Sequence, residues 1–519
     1  MSLDPRIDDA LARLPDYLGN HVLVSVSALL LGLAVSLPLA ILSIRRPVLR
    51  NALLAFSSIV QTIPGLALLA LFYPLLLGLS ALTGRAFGAS FSALGFLPAV
   101  LALALYSMLP VVRNTVTGIL GIDPAVNEAA LGVGMTRRQA LLMVELPLAL
   151  PVIMAGIRTS AVWTIGTATL ATPVGQTSLG NYIFTGLQTQ NWIFVLFGCV
   201  AAAVLALAVD QLLALMENGV STRKRGQIAL GAAGIAFIVA AALGPGFAAS
   251  RATYIVGAKT FTEQYILEAL IEERLQAAGL STRRRDGLGS TIIFDALKAG
   301  DIDVYVDYSG TLWTTQMQRT DTKPREEVLA ELKTWLVARR IDLLGALGFE
   351  NAYALAMSRK RAESLGIRSI ADLARVAPGL SIAGDYEFFA RPEWRALVDA
   401  YGLSFRKQML VQPEFMYPAA AAGEVDVISA YTSEGRLAQF DLVVLDDPKH
   451  VIPPYDAILL LAPGRAGDAK FVEALKPLSG AIDVKLMQAA NLRANGKGGD
   501  SSPEAIARWM WGEIVRSGK

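Results

Sequence analysis

The sequence is short of the residues from which most catalysts and metal centres are built. Its 519 residues hold one cysteine and two histidines, His21 and His450. A single thiol excludes an internal disulfide framework, and Cys199 lies inside an apolar run, where a small packing residue is the ordinary reading. Two isolated histidines supply neither a Ser/His/Asp constellation nor a metal-ligand spacing, which argues against a hydrolase or a metalloenzyme. No Gly-x-x-x-x-Gly-Lys-[Ser/Thr] phosphate loop occurs, because Gly496-Lys497 lacks both the upstream glycine and the following hydroxyl. Charge is scarce as well: 17% of residues are charged, where soluble proteins carry about a quarter. A net charge of +2 with no basic stripe excludes nucleic acid as a partner. The N-terminus is mixed and polar, not a cleavable secretory pattern, so the first apolar segment is expected to direct its own insertion.

What the chain has is apolar length. Apolar residues make up 54% of it, concentrated in 22–250, whereas 251–519 reads like a soluble domain. A membrane span takes about 20 apolar residues. Residues 22–44 make a first span, and 51–84 a second with a kinked or re-entrant end at Pro64 or Pro74. Residues 86–112 make a third. The long uncharged run 159–209 is broken by the polar stretch Pro173-Val-Gly-Gln-Thr-Ser-Leu-Gly-Asn181. It therefore holds parts of a fourth span near 148–172 and a fifth near 191–214, and 226–250 gives a sixth.

Charge sets direction. Arg45, Arg46 and Arg50 follow the first span, Arg137 and Arg138 separate the third and fourth, and Arg223, Lys224 and Arg225 precede the sixth. All three clusters fall on one side if the N-terminus is outside, and the positive-inside tendency makes that side cytoplasmic. Six spans that start outside also end outside, so the soluble half is expected on the periplasmic or extracellular face.

On the cytoplasmic side stands Glu128-Ala-Ala-Leu-Gly-Val-Gly134, followed after nine residues by Val144-Glu-Leu-Pro147. A short helix, a turn opened at Gly134 and a second helix ended by Pro147 would project as a knob. This pattern resembles the coupling loop of bacterial ABC importer permeases, carried here by Glu128, Ala129, Ala130, Gly134, Leu146 and Pro147 within a loop of 120–147. The resemblance implies a type I importer permease of about six helices that docks a separate ATPase. It further implies two ATPase copies and a permease homodimer in the lipid bilayer, with ATP bound by the partner and no cofactor or metal on this chain.

From Tyr254 onward, short aliphatic strands alternate with amphipathic helices, which indicates α/β architecture with mostly parallel sheets in two small lobes. Gly257-Ala-Lys-Thr-Phe-Thr-Glu-Gln264, Asp307-Tyr-Ser-Gly-Thr311, Gly423-Glu-Val-Asp-Val427 and Pro453-Pro-Tyr455 are similar to osmoprotectant-binding proteins of glycine betaine, carnitine and choline importers. That family also includes ergothioneine transporters. The chain is thus expected to comprise a permease domain (1–220), a sixth span and tether (221–252) and a two-lobed binding domain (253–519) of the periplasmic-binding-protein type. Lobe 1 would be 253–355 and 455–519, and lobe 2 would be 356–454.

The family's ligands carry a quaternary ammonium, which donates no hydrogen bond and is recognised by ring faces at about 0.5–2 kcal/mol each. The resemblance assigns the cage to Tyr308, Tyr353, Tyr431 and Tyr455. It assigns the ligand's carboxylate to Arg391, with Thr311 adding a hydroxyl. Lys259 precedes what reads as a capping box, Thr260-Phe-Thr-Glu263, an arrangement suited to anions. Tyr254, Tyr305 and Tyr401 read as packing residues, and Tyr265, Tyr386, Tyr417, Trp313, Asp307 and Glu387 stay open. Thr260 and Ser290-Thr291 depart from the family pattern near the expected cleft. The expected cargo is a small betaine-type zwitterion. A ligand-gated receptor built on the same binding domain is the alternative, and the Glu128–Pro147 loop weighs against it.

Overall fold

A computed structural model describes residues 5–87, 91, 95–188, 191–248, 253–319, 321–411, 413–494 and 501–518. Gly496-Lys497 and the tether residues 249–252 lie outside the described residues, as do the side chains of Thr291, Tyr386 and Glu387. The chain divides near residue 252 into two compact units.

The first unit is helical. It comprises α1 (Pro5–Ser43), α2 (Pro47–Thr62), α3 (Gly65–Phe87), α4 (Phe96–Leu120), α5 (Pro124–Gly132), α6 (Arg137–Ala140), α7 (Leu146–Ala168), α8 (Gly180–Gln188), α9 (Trp192–Ser221) and α10 (Arg225–Ala248). Five helical stretches are long and apolar enough to cross a membrane, or six if α2 and α3 form one broken span. That pair bends by 105° at Ile63-Pro64, as a proline that lacks an N–H and crowds the preceding turn requires. Two expected span ends are corrected. The helix of the first span begins at Pro5, where Ala10 accepts a 2.5 Å hydrogen bond from the Tyr182 hydroxyl and Tyr17 packs edge-on against the Tyr182 ring. The third span runs Phe96–Leu120 rather than 86–112, because Arg113 ends the uncharged run without ending the helix. Charge interrupts apolarity, not backbone hydrogen bonding. The polar break after α7 satisfies itself, as a non-helical backbone inside a membrane domain must. There the Asn181 side-chain oxygen accepts from Thr172 Oγ1 at 3.0 Å and from the Ser178 N–H at 2.9 Å.

The second unit holds two five-stranded sheets. The first orders its strands β2 (Ser281–Leu288), β1 (Thr253–Lys259), β3 (Val304–Tyr308), β10 (Asp456–Leu461) and β4 (Asp342–Glu350). The second orders β7 (Lys407–Leu410), β6 (Ser381–Gly384), β8 (Val427–Tyr431), β5 (Tyr353–Ser358) and β9 (Leu442–Val444). Every residue of β3 and β10 is buried, as expected of central strands covered on both faces. The sheets are not mostly parallel: β10 runs antiparallel to both β3 and β4, and β5 antiparallel to both β8 and β9. The cause is the chain path. Each sheet receives one strand from a segment that has just crossed from the other sheet, at 351–352 and again at 445–455, and that strand enters against the direction of its neighbours.

Candidate functional site

The aromatic site is built where those crossings meet. Tyr353 opens β5 directly after the first crossing, and antiparallel register sets it opposite Tyr431 at the end of β8. Their ring centroids lie 5.0 Å apart. Tyr455 closes the second crossing and meets Tyr353 edge-on at 5.6 Å and 87°. Phe388 from lobe 2 approaches Tyr353 at 5.6 Å. Tilted and T-shaped pairs of this kind are worth about 0.5–1.5 kcal/mol each beyond the area they bury. Gly310 permits the arrangement, since a Cβ there would fall 2.4 Å from the Tyr455 ring. Beside it, Ser309 Oγ donates to the Pro454 carbonyl and accepts from the Asp456 N–H, both at 2.8 Å.

Tyr308 sits in the same region but is held differently. Its ring stacks on Phe261 at 6.1 Å, and its hydroxyl donates to Glu263 Oε1 at 2.5 Å and accepts from Gln264 at 3.0 Å. Burial and the adjacent Glu263 carboxylate push the Tyr308 phenol well above its ordinary value, and burial with Glu393 does the same at Tyr455. Both phenols therefore stay neutral donors.

Arg391 caps the helix Pro392–Tyr401, is buried, and holds its guanidinium carbon 5.1 Å from the Tyr353 ring centroid. Two residues on, Glu393 belongs to lobe 2 but accepts from groups of the other lobe: the Tyr455 hydroxyl, and Thr314 Oγ1 at 3.0 Å. Beside it a cavity of about 440 Å³ opens between the lobes, lined by Thr314, Arg319, Ala390, Pro392, Arg395 and Pro453 among others. Thr311 is buried one turn before Thr314.

Lys259 is placed otherwise than as an open anion site. It is buried in an ion pair with Asp307, which also accepts from the Tyr305 hydroxyl and, at 2.7 Å, from the Tyr308 N–H. The capping box is also corrected: α11 (Thr262–Ala277) starts from Phe261 with no side-chain cap, and Glu263 points into the lobe junction. Among the tyrosines read as packing residues, Tyr254 donates to Asp468 at 2.5 Å, and Tyr305 and Tyr401 donate to Asp307 and Asp447. Tyr265, Tyr417 and Trp313 are core residues.

In the helical unit, α5 carries Glu128, Ala129 and Ala130, and Asp123 caps it by accepting from the Ala125 N–H at 2.9 Å. Gly134 turns the chain at φ 86°, a conformation that only glycine adopts without strain. Thr136 and Gln139 then form a reciprocal capping box for α6. Pro147 does not end the second helix. A π-helical turn over Leu141–Glu145 widens the backbone just ahead of it, so the missing N–H is absorbed and the helix continues into α7.

Comparison with known proteins assigns both units. Residues 252–511 match the family described as the substrate binding domain of the ABC-type glycine betaine transport system. Residues 31–222 match the binding-protein-dependent transport system inner membrane component. The chain belongs to the ABC-type glycine betaine transport family, as a permease fused to a binding domain. One relative is the ergothioneine transport permease/ergothioneine binding protein of Helicobacter pylori strain G27, 28% identical over 88% of this chain and 83% of that protein. Another is the glycine betaine/carnitine/choline transport system permease protein of Bacillus subtilis strain 168, 40% identical over 40% of this chain and 87% of that protein. Among solved structures, a glycine betaine/carnitine/choline ABC transporter is 24% identical over 50% of this chain and 98% of its own, with a TM-score of 0.46.

Within this permease–binding-domain fusion, sequence reasoning passed over Glu393, Thr314 and Phe388. The first two show their role only across the lobe gap, 79 residues apart in sequence. Phe388 had a visible signal, since it lies three residues before Arg391 in the same motif.

Proposed function

We propose that the chain captures a small quaternary-ammonium zwitterion outside the cell and passes it through its own helical unit, a betaine-type compound such as glycine betaine, carnitine or ergothioneine. The observation that carries this reading is the joint placement of Tyr353, Tyr431 and Tyr455 with Arg391 at the lobe junction. Ring faces attract the trimethylammonium, and a guanidinium grips a carboxylate bidentately. Lobe closure then completes the site through Glu393, which already reaches Tyr455 and Thr314. ATP is hydrolysed on two copies of a separate ATPase that dock on the α5–α7 loop of a permease homodimer. Support for that docking comes from the loop's exposed apolar side chains, Leu131, Val133, Leu142 and Met143. The binding domain stands on the periplasmic or extracellular side, where tethering keeps it at an effective concentration on the order of millimolar.

The test is uptake. Proteoliposomes holding the full chain and its ATPase, with ATP inside, should accumulate radiolabelled glycine betaine or ergothioneine, and Arg391→Ala should abolish accumulation. Ligand-gated ion current without any ATPase would overturn the importer reading.

A further inference from the structure

Glu263 is a glutamate with no place in the cage, yet it is 3% exposed and accepts four hydrogen bonds. Oε1 receives the Tyr308 hydroxyl at 2.5 Å and Asn351 Nδ2 at 3.1 Å. Oε2 receives Ser433 Oγ at 2.6 Å and Asn491 Nδ2 at 3.0 Å. The four donors come from four separate segments. Tyr308 ends β3 in lobe 1, and Asn351 lies in the first crossing. Ser433 follows β8 of lobe 2, and Asn491 belongs to the helix Val484–Ala494, the last but one of the chain.

These segments are also knotted to one another. The Thr432 N–H donates to the Ala352 carbonyl and the Ala352 N–H to Thr432 Oγ1, both at 3.0 Å. The Asn351 N–H donates to the Tyr455 carbonyl at 2.9 Å, which joins the two crossings at one residue. Gln488 and Asn491 reach the carbonyls of Thr432 and Ser433 at 2.8 and 2.9 Å.

An ionised carboxylate is acceptor-only, with about four lone-pair sites. Four donors converge on Glu263, so a glutamine would turn an N–H₂ group toward two of them. An apolar side chain would take this acceptor from all four donors inside the junction, at a desolvation cost for each N–H or O–H left unpaired. Burying a carboxylate is expensive and seldom the cheapest way to stabilise a core, so its presence at this junction indicates a geometric task. We propose that Glu263 is a positioning residue: it fixes the Tyr308 ring relative to both lobe crossings, so that lobe closure and the orientation of that ring change together. The inference rests on the reading of Tyr308 as part of the ligand site.

The test uses the full chain in lipid nanodiscs and the variants Glu263→Gln, Ser433→Ala, Tyr308→Phe and the double variant Glu263→Gln/Tyr308→Phe. Without ligand, hydrogen exchange in Glu263→Gln should quicken together at 306–310, 350–354 and 431–434. Affinity for radiolabelled glycine betaine or ergothioneine should fall about tenfold or more in Glu263→Gln and about threefold in Ser433→Ala. The double variant should bind no worse than Glu263→Gln, because Tyr308→Phe removes only the hydroxyl that the carboxylate holds. Losses that multiply in the double variant would overturn the proposal. So would faster exchange confined to α11 with affinity within about twofold of wild type. If Glu263→Gln does not fold, Ser433→Ala deletes one hydroxyl at the same carboxylate and carries both readouts. A wild-type chain that binds neither probe refutes the proposed cargo, and the ligand-free exchange still decides on Glu263.

Discussion

The α5–α7 loop and the junction between the two sheets break opposite rules. In the loop, apolar side chains are left uncovered, with Val133 77% exposed and Met143 64% exposed. At the junction, Lys259, Asp307, Glu263 and Glu393 are buried. An isolated exposed apolar residue needs no explanation, but four on one short knob suit a surface that another protein covers. A buried charge is tolerated only when paired or fully hydrogen-bonded, so each one at the junction identifies the groups that hold it. The loop is therefore read by the apolar surface it exposes, and the junction by the groups that hold its charges.

The largest expected effect separates structural charge from ligand charge. Lys259→Met should cost about 3–5 kcal/mol of stability in urea unfolding of the soluble half, because Asp307 is left buried without its cation. Asp307→Asn in the same chain should restore part of that loss. Unchanged stability with a large loss of ligand affinity would instead return Lys259 to the ligand site. Next comes Tyr353→Ala, which removes the ring that three others meet. Ligand affinity measured by calorimetry should fall about 30-fold, whereas Tyr353→Phe should lose only a few-fold.

On the loop side, Val133→Asp should reduce ATP-driven uptake to near background while leaving ligand affinity unchanged. Gly134→Ala should have a smaller effect. No atom lies within 4 Å of the added Cβ, so the cost is backbone strain of about 1 kcal/mol and a few-fold loss of ligand-stimulated ATPase rate. A Val133→Asp chain that bound ligand poorly would break the separation between loop and junction.

The smallest effect concerns pH. Burial pushes the Glu263 carboxyl above its ordinary value, and that outweighs the pull of its four donors. A carboxyl raised on folding holds its proton more tightly in the folded state. Its contribution to stability is therefore fullest below the ordinary glutamate value of about 4.3 and declines as pH rises through the raised one. Wild-type stability relative to Glu263→Gln should fall with rising pH across that window in urea unfolding. A rise would mean that the donors win.

Much of the membrane unit was legible because about 20 apolar residues is a strong signal. What charge alone hid was helix continuity. Arg113, Asp210 and Glu217 all lie inside helices, and Arg158 of α7 pairs with Asp210 of α9 through Nη2 and Oδ2 at 2.8 Å. The four tyrosines Tyr308, Tyr353, Tyr431 and Tyr455 were singled out through family motifs, and register accounts for the meeting of Tyr353 and Tyr431. Glu263 was misread because a threonine three residues before a glutamate is a local capping signal. Its actual partners, Tyr308, Asn351, Ser433 and Asn491, lie 45 to 228 residues away. The pairing of Lys259 with Asp307 was hidden for the same reason, since Asp307 is 48 residues distant. Local patterns report local bonds, and the junction is assembled from distant ones.

The most direct test of the account is calorimetric titration of the full chain in nanodiscs with glycine betaine, ergothioneine and choline. The cage with Arg391 predicts that a zwitterion binds at least about tenfold more tightly than choline, which has no carboxylate for the guanidinium to grip. Choline binding as tightly as either zwitterion, or no binding by any of the three, would contradict it.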